Sequence, residues 1–172
     1  RGKTLGIVGI GRIGQATAKM ALGLGMKVIA ADSFIDKVDV KVEFFDGQSI
    51  TTTIVSQSLE SLFKEADFIS LHVPAQNGYI ISKTELAIMK DGVGIVNCAR
   101  GGVIDEIALI DALDSGKVGF AGLDVFESEP KPEIKILMHP KISLTPHIGA
   151  ATGEAQDRIG TELAQQIISI LG

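Results

Sequence analysis

Apolar residues fall along this chain in short blocks of two kinds. Residues 4–10 (TLGIVGI) form an unbroken aliphatic run closed by glycine, the pattern of a strand buried on both faces of a parallel sheet. Over residues 12–24 the spacing turns helical, with Ile13, Ala16, Ala18, Met20, Ala21 and Leu24 apolar and with Gly23 and Gly25 as stop signals. Residues 27–31 predict a second strand. Residues 38–55 then alternate, with Val40, Val42 and Phe44 before Asp46-Gly47 and Ile50, Thr52 and Ile54 after it, which predicts a β-hairpin closed by a primed turn. Ser58 is placed to cap a short helix reaching Ala66. Apolar runs at 68–73, 94–97, 118–124 and 142–145 predict further strands, parted by helical stretches at 84–89 and 106–115. Across 152–171, Ala155, Ile159, Leu163, Ile167 and Leu171 recur every fourth residue, an amphipathic helix. Strand and helix alternate throughout, so the expected fold is α/β, a single Rossmann-type domain with a doubly wound parallel sheet and right-handed crossovers.

Composition narrows the function classes. At 172 residues the chain suits one domain, and 45% hydrophobic with 22% charged residues excludes disordered and fibrous classes. Sixteen Lys and Arg against 21 Asp and Glu leave a net charge of −5, which argues against a nucleic-acid groove. The one cysteine, Cys98, cannot form an internal disulfide. With no signal-like segment, no 18-residue apolar run and no cluster of metal ligands, the expectation is a cytoplasmic protein without membrane or metal. Because the chain starts at Arg1 with Leu5 already in an apolar run, it reads as a piece of a longer polypeptide.

Gly9-Ile10-Gly11-Arg12-Ile13-Gly14 is G-x-G-x-x-G between the first predicted strand and helix. Gly9 allows the tight turn, Gly11 lets a pyrophosphate approach the backbone, and Gly14 lets helix pack on strand. The unpaired N–H groups and positive dipole end of that helix attract the anion. Asp32 ends the second strand 18 residues after Gly14, where an acid can accept ribose hydroxyls. It also repels a 2′-phosphate, and no arginine follows closely, so the expected cofactor is NAD rather than NADP.

Three further segments each follow an apolar strand and so lie at its C-terminal end, where open α/β sheets bind ligands: NCARGG (97–102), GLDVFESEP (122–130) and TPHIGAAT (145–152). Arg100 offers a fixed fork for a carboxylate, His147 a group that titrates near neutrality, and Glu129 a carboxylate to orient it. Together they suit hydride transfer at a hydroxyl-bearing carbon.

The set GIVGIGRIG, Asp32, HVP at 72–74, NCARGGVIDE, GLDVFESEP and TPHIGAATGEAQ resembles the cofactor domain of the D-isomer-specific 2-hydroxyacid dehydrogenases over nearly the whole chain. Within that family, NCARGG and PHIGAATGEAQDR are most similar to the members that oxidise 3-phosphoglycerate at the entrance to serine synthesis. Enzymes reducing glyoxylate, hydroxypyruvate or D-lactate, and an NAD(H)-sensing corepressor of the same fold, are the alternatives. The resemblance implies that Arg100 holds the substrate carboxylate, Glu129 supports His147, and His147 exchanges the proton. It also implies pyrophosphate contacts from the backbone of Arg12 and Ile13, a ribose contact from Asp32, and a nicotinamide side lined by Cys98, Ala99 and Arg100. Asp124 is implied to hold the nicotinamide carboxamide, with the turn from His147 through Gly149 to Ala150 closing the site. Finally, it implies a homodimer formed through this domain, and a substrate-binding domain outside residues 1–172. Two features depart from the family pattern: the segment 32–58 is longer, and the stretch 75–78 after HVP is shorter and lacks threonines.

Overall fold

The computed structural model of the chain describes residues 1–171. In chain order the elements are β1 (Thr4–Val8), α1 (Arg12–Gly23), β2 (Lys27–Ala31), β3 (Lys37–Glu43), β4 (Ser49–Val55), α2 (Leu59–Glu65) and β5 (Phe68–Leu71). They continue with α3 (Lys83–Ile88), β6 (Val93–Asn97), α4 (Glu106–Ser115), β7 (Val118–Leu123), α5 (Ile134–Leu137), β8 (Ile142–Leu144) and α6 (Gly153–Leu171). Six strands form one sheet in the order β2-β1-β5-β6-β7-β8, with every pairing parallel. Chain direction across the sheet reverses at β1, between β2 and β5. That switch point opens a crevice beyond the C-terminal strand ends.

The aliphatic runs become central strands because both faces of the sheet are covered. On one face α2, α3 and α4 insert Leu62, Phe63, Leu86, Leu109 and Leu113, each at most 3% exposed, against Ile69, Leu71 and Ile95. Burial of such a side chain stabilises by about 1.5–3 kcal/mol. On the other face a smaller cluster joins Ile7, Ile10 and Ala30 to Ala18 of α1 and to Val40 and Ile54 of the hairpin. The hairpin thus works as a second cover beside α1. Its last residues bridge to the sheet edge, where the Gln57 N–H bonds the Ala30 carbonyl at 2.9 Å.

One expectation needs correction, and two helices form as predicted but leave apolar residues exposed. The hairpin turn is not a two-residue primed turn. The Phe44 N–H bonds the Gln48 carbonyl at 2.9 Å and the Gly47 N–H bonds the Phe44 carbonyl at 3.0 Å, leaving a three-residue loop in which only Gly47, at φ +83°, is left-handed. The Asp46 carboxylate, accepting from the Gln48 N–H at 3.0 Å, stabilises this longer turn. In α1 the inward face is Gly14, Ala18 and Ala21, while Ile13, Met20 and the C-cap residue Leu24 stay exposed. Finally, α6 forms where its periodicity predicts but buries none of its residues; Ile159 and Leu163 stay more than half exposed, and Glu162 reaches Arg12 at 2.7 Å.

Candidate functional site

The glycine turn leads from β1 into α1. Gly9, at φ +90°, lies so close to β5 that a Cβ there would sit 2.6 Å from the His72 carbonyl oxygen. At Gly14 a Cβ would lie 2.1 Å from the Gly9 carbonyl oxygen, so helix and turn pack backbone to backbone. Gly11 differs: a Cβ there meets nothing within 4 Å, and the position borders a cleft of about 550 Å³. Gly11 is also the N-cap of α1, which has neither a side-chain cap nor an acidic residue in its first turn. The N–H groups of Arg12 and Ile13 therefore stand at an uncapped helix start, as a pyrophosphate requires.

Asp32 follows β2 on the wall of the same cleft, with Phe34, His72 and Pro74 nearby. Its carboxylate accepts N–H bonds from Ile10 at 2.8 Å, Phe34 at 2.8 Å and Ile35 at 3.1 Å, tying the glycine turn to the loop after β2. His72 hydrogen-bonds Ser70 through Nε2 at 2.9 Å, and burial holds its imidazole below the ordinary pKa.

At the end of β6, buried Asn97 fixes the CAR turn: its Oδ1 accepts from the Ala99 N–H at 3.0 Å and its Nδ2 donates to the Arg100 carbonyl at 3.0 Å. Cys98 and Arg100 are exposed and Ala99 is buried between them. Partial desolvation of the thiol, helped by the Asp124 carboxylate, pushes Cys98 above its usual pKa, which disfavours thiolate chemistry. The Arg100 guanidinium bonds the Ala99 carbonyl at 2.6 Å rather than Glu129 or His147.

His147 and Glu129 do meet, with His147 Nδ1 and Glu129 Oε2 2.7 Å apart. The other Glu129 oxygen accepts the Phe126 N–H at 2.9 Å. The imidazole contact, then the Phe126 N–H, hold the Glu129 carboxyl below the ordinary range. His147 has φ +54°, an uncommon region for a non-glycine residue and a form of strain that concentrates at functional sites. Both side chains border an apolar cavity of about 420 Å³ with Phe126, Leu144 and Pro146.

Asp124, 3% exposed, organises the turn that presents His147. Its Oδ1 accepts the Thr145 hydroxyl at 2.5 Å and the Ile148 N–H at 2.9 Å, and its Oδ2 accepts the Gly149 N–H at 2.9 Å. Burial raises this carboxyl, but the three donors together outweigh it and the net pKa is lowered. The carboxylate that the resemblance assigns to a cofactor amide thus also anchors the turn, while the Ala150 carbonyl accepts from Gln156 Nε2 at 3.4 Å. Asn97, Phe126, Thr145 and Ile148 lie in the three segments that the sequence points to, but without individual roles there. For Asn97 and Thr145 the readable signal is a polar side chain at the end of an apolar run.

The family model for the D-isomer specific 2-hydroxyacid dehydrogenase, NAD binding domain, matches residues 1–149. The chain belongs to this family. Among its relatives, a hydroxypyruvate reductase of Thermotoga maritima is 51% identical, covering 99% of this chain and 54% of its own length. A D-3-phosphoglycerate dehydrogenase of Methanocaldococcus jannaschii is 45% identical, covering 99% of this chain and 31% of its own length. The chain therefore spans about half, or less, of the curated relatives it matches. The crystal structure of a glyoxylate reductase from Paecilomyes thermophila superposes with a TM-score of 0.79 at 41% identity, covering 94% of this chain and 47% of that one. As the NAD-binding domain of a D-2-hydroxyacid dehydrogenase, the chain has a cofactor to place, and its residues fit it. The open space at Gly11 and the uncapped start of α1 suit a pyrophosphate, and Asp32 lies on the same cleft wall.

Proposed function

We propose that the full-length protein interconverts a D-2-hydroxy acid and its 2-keto acid, with His147 as the proton-transferring group. The observation that carries this reading is the 2.7 Å contact of His147 Nδ1 with Glu129. It fixes the ring and leaves Nε2 available at the C-terminal rim of the sheet. In oxidation Nε2 accepts the proton of the substrate hydroxyl; in reduction it returns that proton to the keto oxygen. Glu129 stabilises the imidazolium formed in between, and Arg100 turns its guanidinium from the Ala99 carbonyl to the substrate carboxylate. Arg12 and Ile13 bind the pyrophosphate through backbone N–H groups, and Asp32 takes the adenosine ribose. Cys98, Ala99 and Arg100 line the nicotinamide side, and Asp124 sets the turn from His147 through Gly149 to Ala150 that closes over it. NAD, when bound, supplies the hydride acceptor and donor.

The substrate we infer is a three-carbon 2-keto acid with an oxygen function on its third carbon. The two relatives above are named for hydroxypyruvate and for 3-phosphoglycerate. The keto acids concerned, hydroxypyruvate and 3-phosphohydroxypyruvate, differ only by a phosphate. The groups that read this difference belong to a substrate-binding lobe built by the rest of the protein, so residues 1–172 alone bind NAD without turnover. Pairing of two copies through this domain is part of the same proposal and is read by sedimentation. The functional test is NADH oxidation by the full-length protein with hydroxypyruvate, 3-phosphohydroxypyruvate, glyoxylate and pyruvate. The reading expects the highest kcat/KM with one of the first two. A preference for pyruvate contradicts the substrate class, and no turnover of any 2-keto acid contradicts the function.

A further inference from the structure

Behind the Arg100 and Glu129 loops lies a set of contacts that the proposed chemistry does not use. Glu106 opens α4 and is only 7% exposed, an unusual place for a carboxylate without a cationic partner. Its Oε1 accepts the Glu127 N–H at 2.8 Å, while Glu127 returns the contact, its own Oε1 accepting the Glu106 N–H at 3.0 Å. The second Glu127 oxygen accepts the Tyr79 hydroxyl at 3.3 Å. Three loops at the C-terminal edge of the sheet, after β5, β6 and β7, are thereby joined through carboxylates and backbone N–H groups. Burial holds the Glu106 carboxyl above its ordinary pKa, with the negative charges of Glu127, Glu133 and Glu129 adding to it.

The consequence falls on one peptide unit. The carbonyl of Phe126 presses on Gly101, where a Cβ would come 1.8 Å from the Phe126 oxygen, so only glycine fits. On the other side of the same peptide the Glu127 N–H is held by Glu106. This clamped peptide adjoins the Phe126 N–H that holds Glu129 Oε1 at 2.9 Å, and Glu129 Oε2 in turn holds His147. The chain of contacts runs from Glu106 through the peptide of Phe126 and Glu127 to Glu129 and the imidazole. Arg100 lies next to Gly101, so the same clamp sets the spacing between the guanidinium loop and the acid–imidazole pair.

We propose that Glu106 is a positioning residue for the reaction: its buried carboxylate fixes the Phe126–Glu127 peptide and thereby the orientation in which Glu129 holds His147. The inference rests on the function proposed above. Its test compares Glu106→Gln, which keeps an acceptor oxygen for the Glu127 N–H, with Glu106→Leu, which keeps the volume and removes the acceptor, both in the full-length protein. Glu106→Leu is expected to lower kcat about ten- to hundredfold, the scale of a small misplacement of catalytic groups, with NADH affinity within about twofold of wild type. Glu106→Gln is expected to restore kcat to within about threefold. Labelled-histidine NMR needs no substrate: the imidazole chemical shifts of His147 are expected to change in Glu106→Leu and to stay put in Glu106→Gln. Should the leucine variant not fold, Glu106→Asp, which withdraws the carboxylate by one methylene, takes its place in both readouts. Unchanged kcat and unmoved His147 imidazole signals overturn the proposal, as does a Glu106→Gln variant as impaired as Glu106→Leu. If the wild type reduces no 2-keto acid, the functional reading fails while the NMR comparison still decides the clamp.

Discussion

The substitution Gly11→Ala separates cofactor binding from folding more cleanly than any other at the glycine turn. Gly11 has φ −70° and ψ −161°, which alanine adopts without strain, and its added methyl meets no protein atom within 4 Å. The folded state therefore loses nothing, and the unfolded chain loses freedom, so stability should hold or rise by about 0.4–1 kcal/mol. The methyl does occupy the space through which a pyrophosphate reaches the first-turn N–H groups of α1. Loss of one charge-assisted hydrogen bond is worth about 1.5–3 kcal/mol, or roughly ten- to more than a hundredfold in affinity. Calorimetric titration with NADH beside a thermal melt of the full-length protein reads both effects. NADH affinity equal to wild type refutes the placement of the cofactor. Weaker binding accompanied by a lower melting temperature refutes the reasoning from open space. Gly14→Ala is the control, since its methyl must displace the Gly9 carbonyl and should destabilise the fold itself.

Asp124→Asn leaves an amide group facing the Gly149 N–H and should cost about 1–3 kcal/mol at pH 7. The folded pKa of Asp124 is lowered, so its contribution is full above the unfolded value and fades as pH falls through the folded one. Urea denaturation across pH should show the deficit of the variant shrinking below about pH 4, whereas a constant or growing deficit contradicts the assignment. Asp32 should enforce NADH over NADPH, because a 2′-phosphate beside its carboxylate meets repulsion of about 1–4 kcal/mol per charge pair. Asp32→Asn should narrow the ratio of the two dissociation constants at least tenfold, by about one unit in its logarithm; equal affinities in the wild type contradict this reading.

The sheet, α1 and the glycine turn were legible because each depends on a local pattern: unbroken aliphatic runs, a helical period and three glycines at fixed spacing. The hairpin strands were legible from alternation, but their turn was not. Asp46-Gly47 suits a two-residue turn, and the side-chain bond from Asp46 to Gln48 shifts the balance toward three. α5 is only four residues long, too short for a period. The pairing of Glu129 with His147 could be suggested from strand ends alone. Glu106 and Glu127 could not, since their contacts join side chains to backbone across 21 residues without any repeating pattern. The stripe on α6 was readable as amphipathic, yet Ile159 and Leu163 find no apolar partner within the described residues that would bury them.

The central claim, proton transfer at His147 with Glu129 behind it, is tested most directly by His147→Ala in the full-length protein. NADH oxidation with the best 2-keto acid should fall by about two to four orders of magnitude in kcat, with the NADH dissociation constant within about twofold of wild type. Turnover equal to wild type contradicts the account.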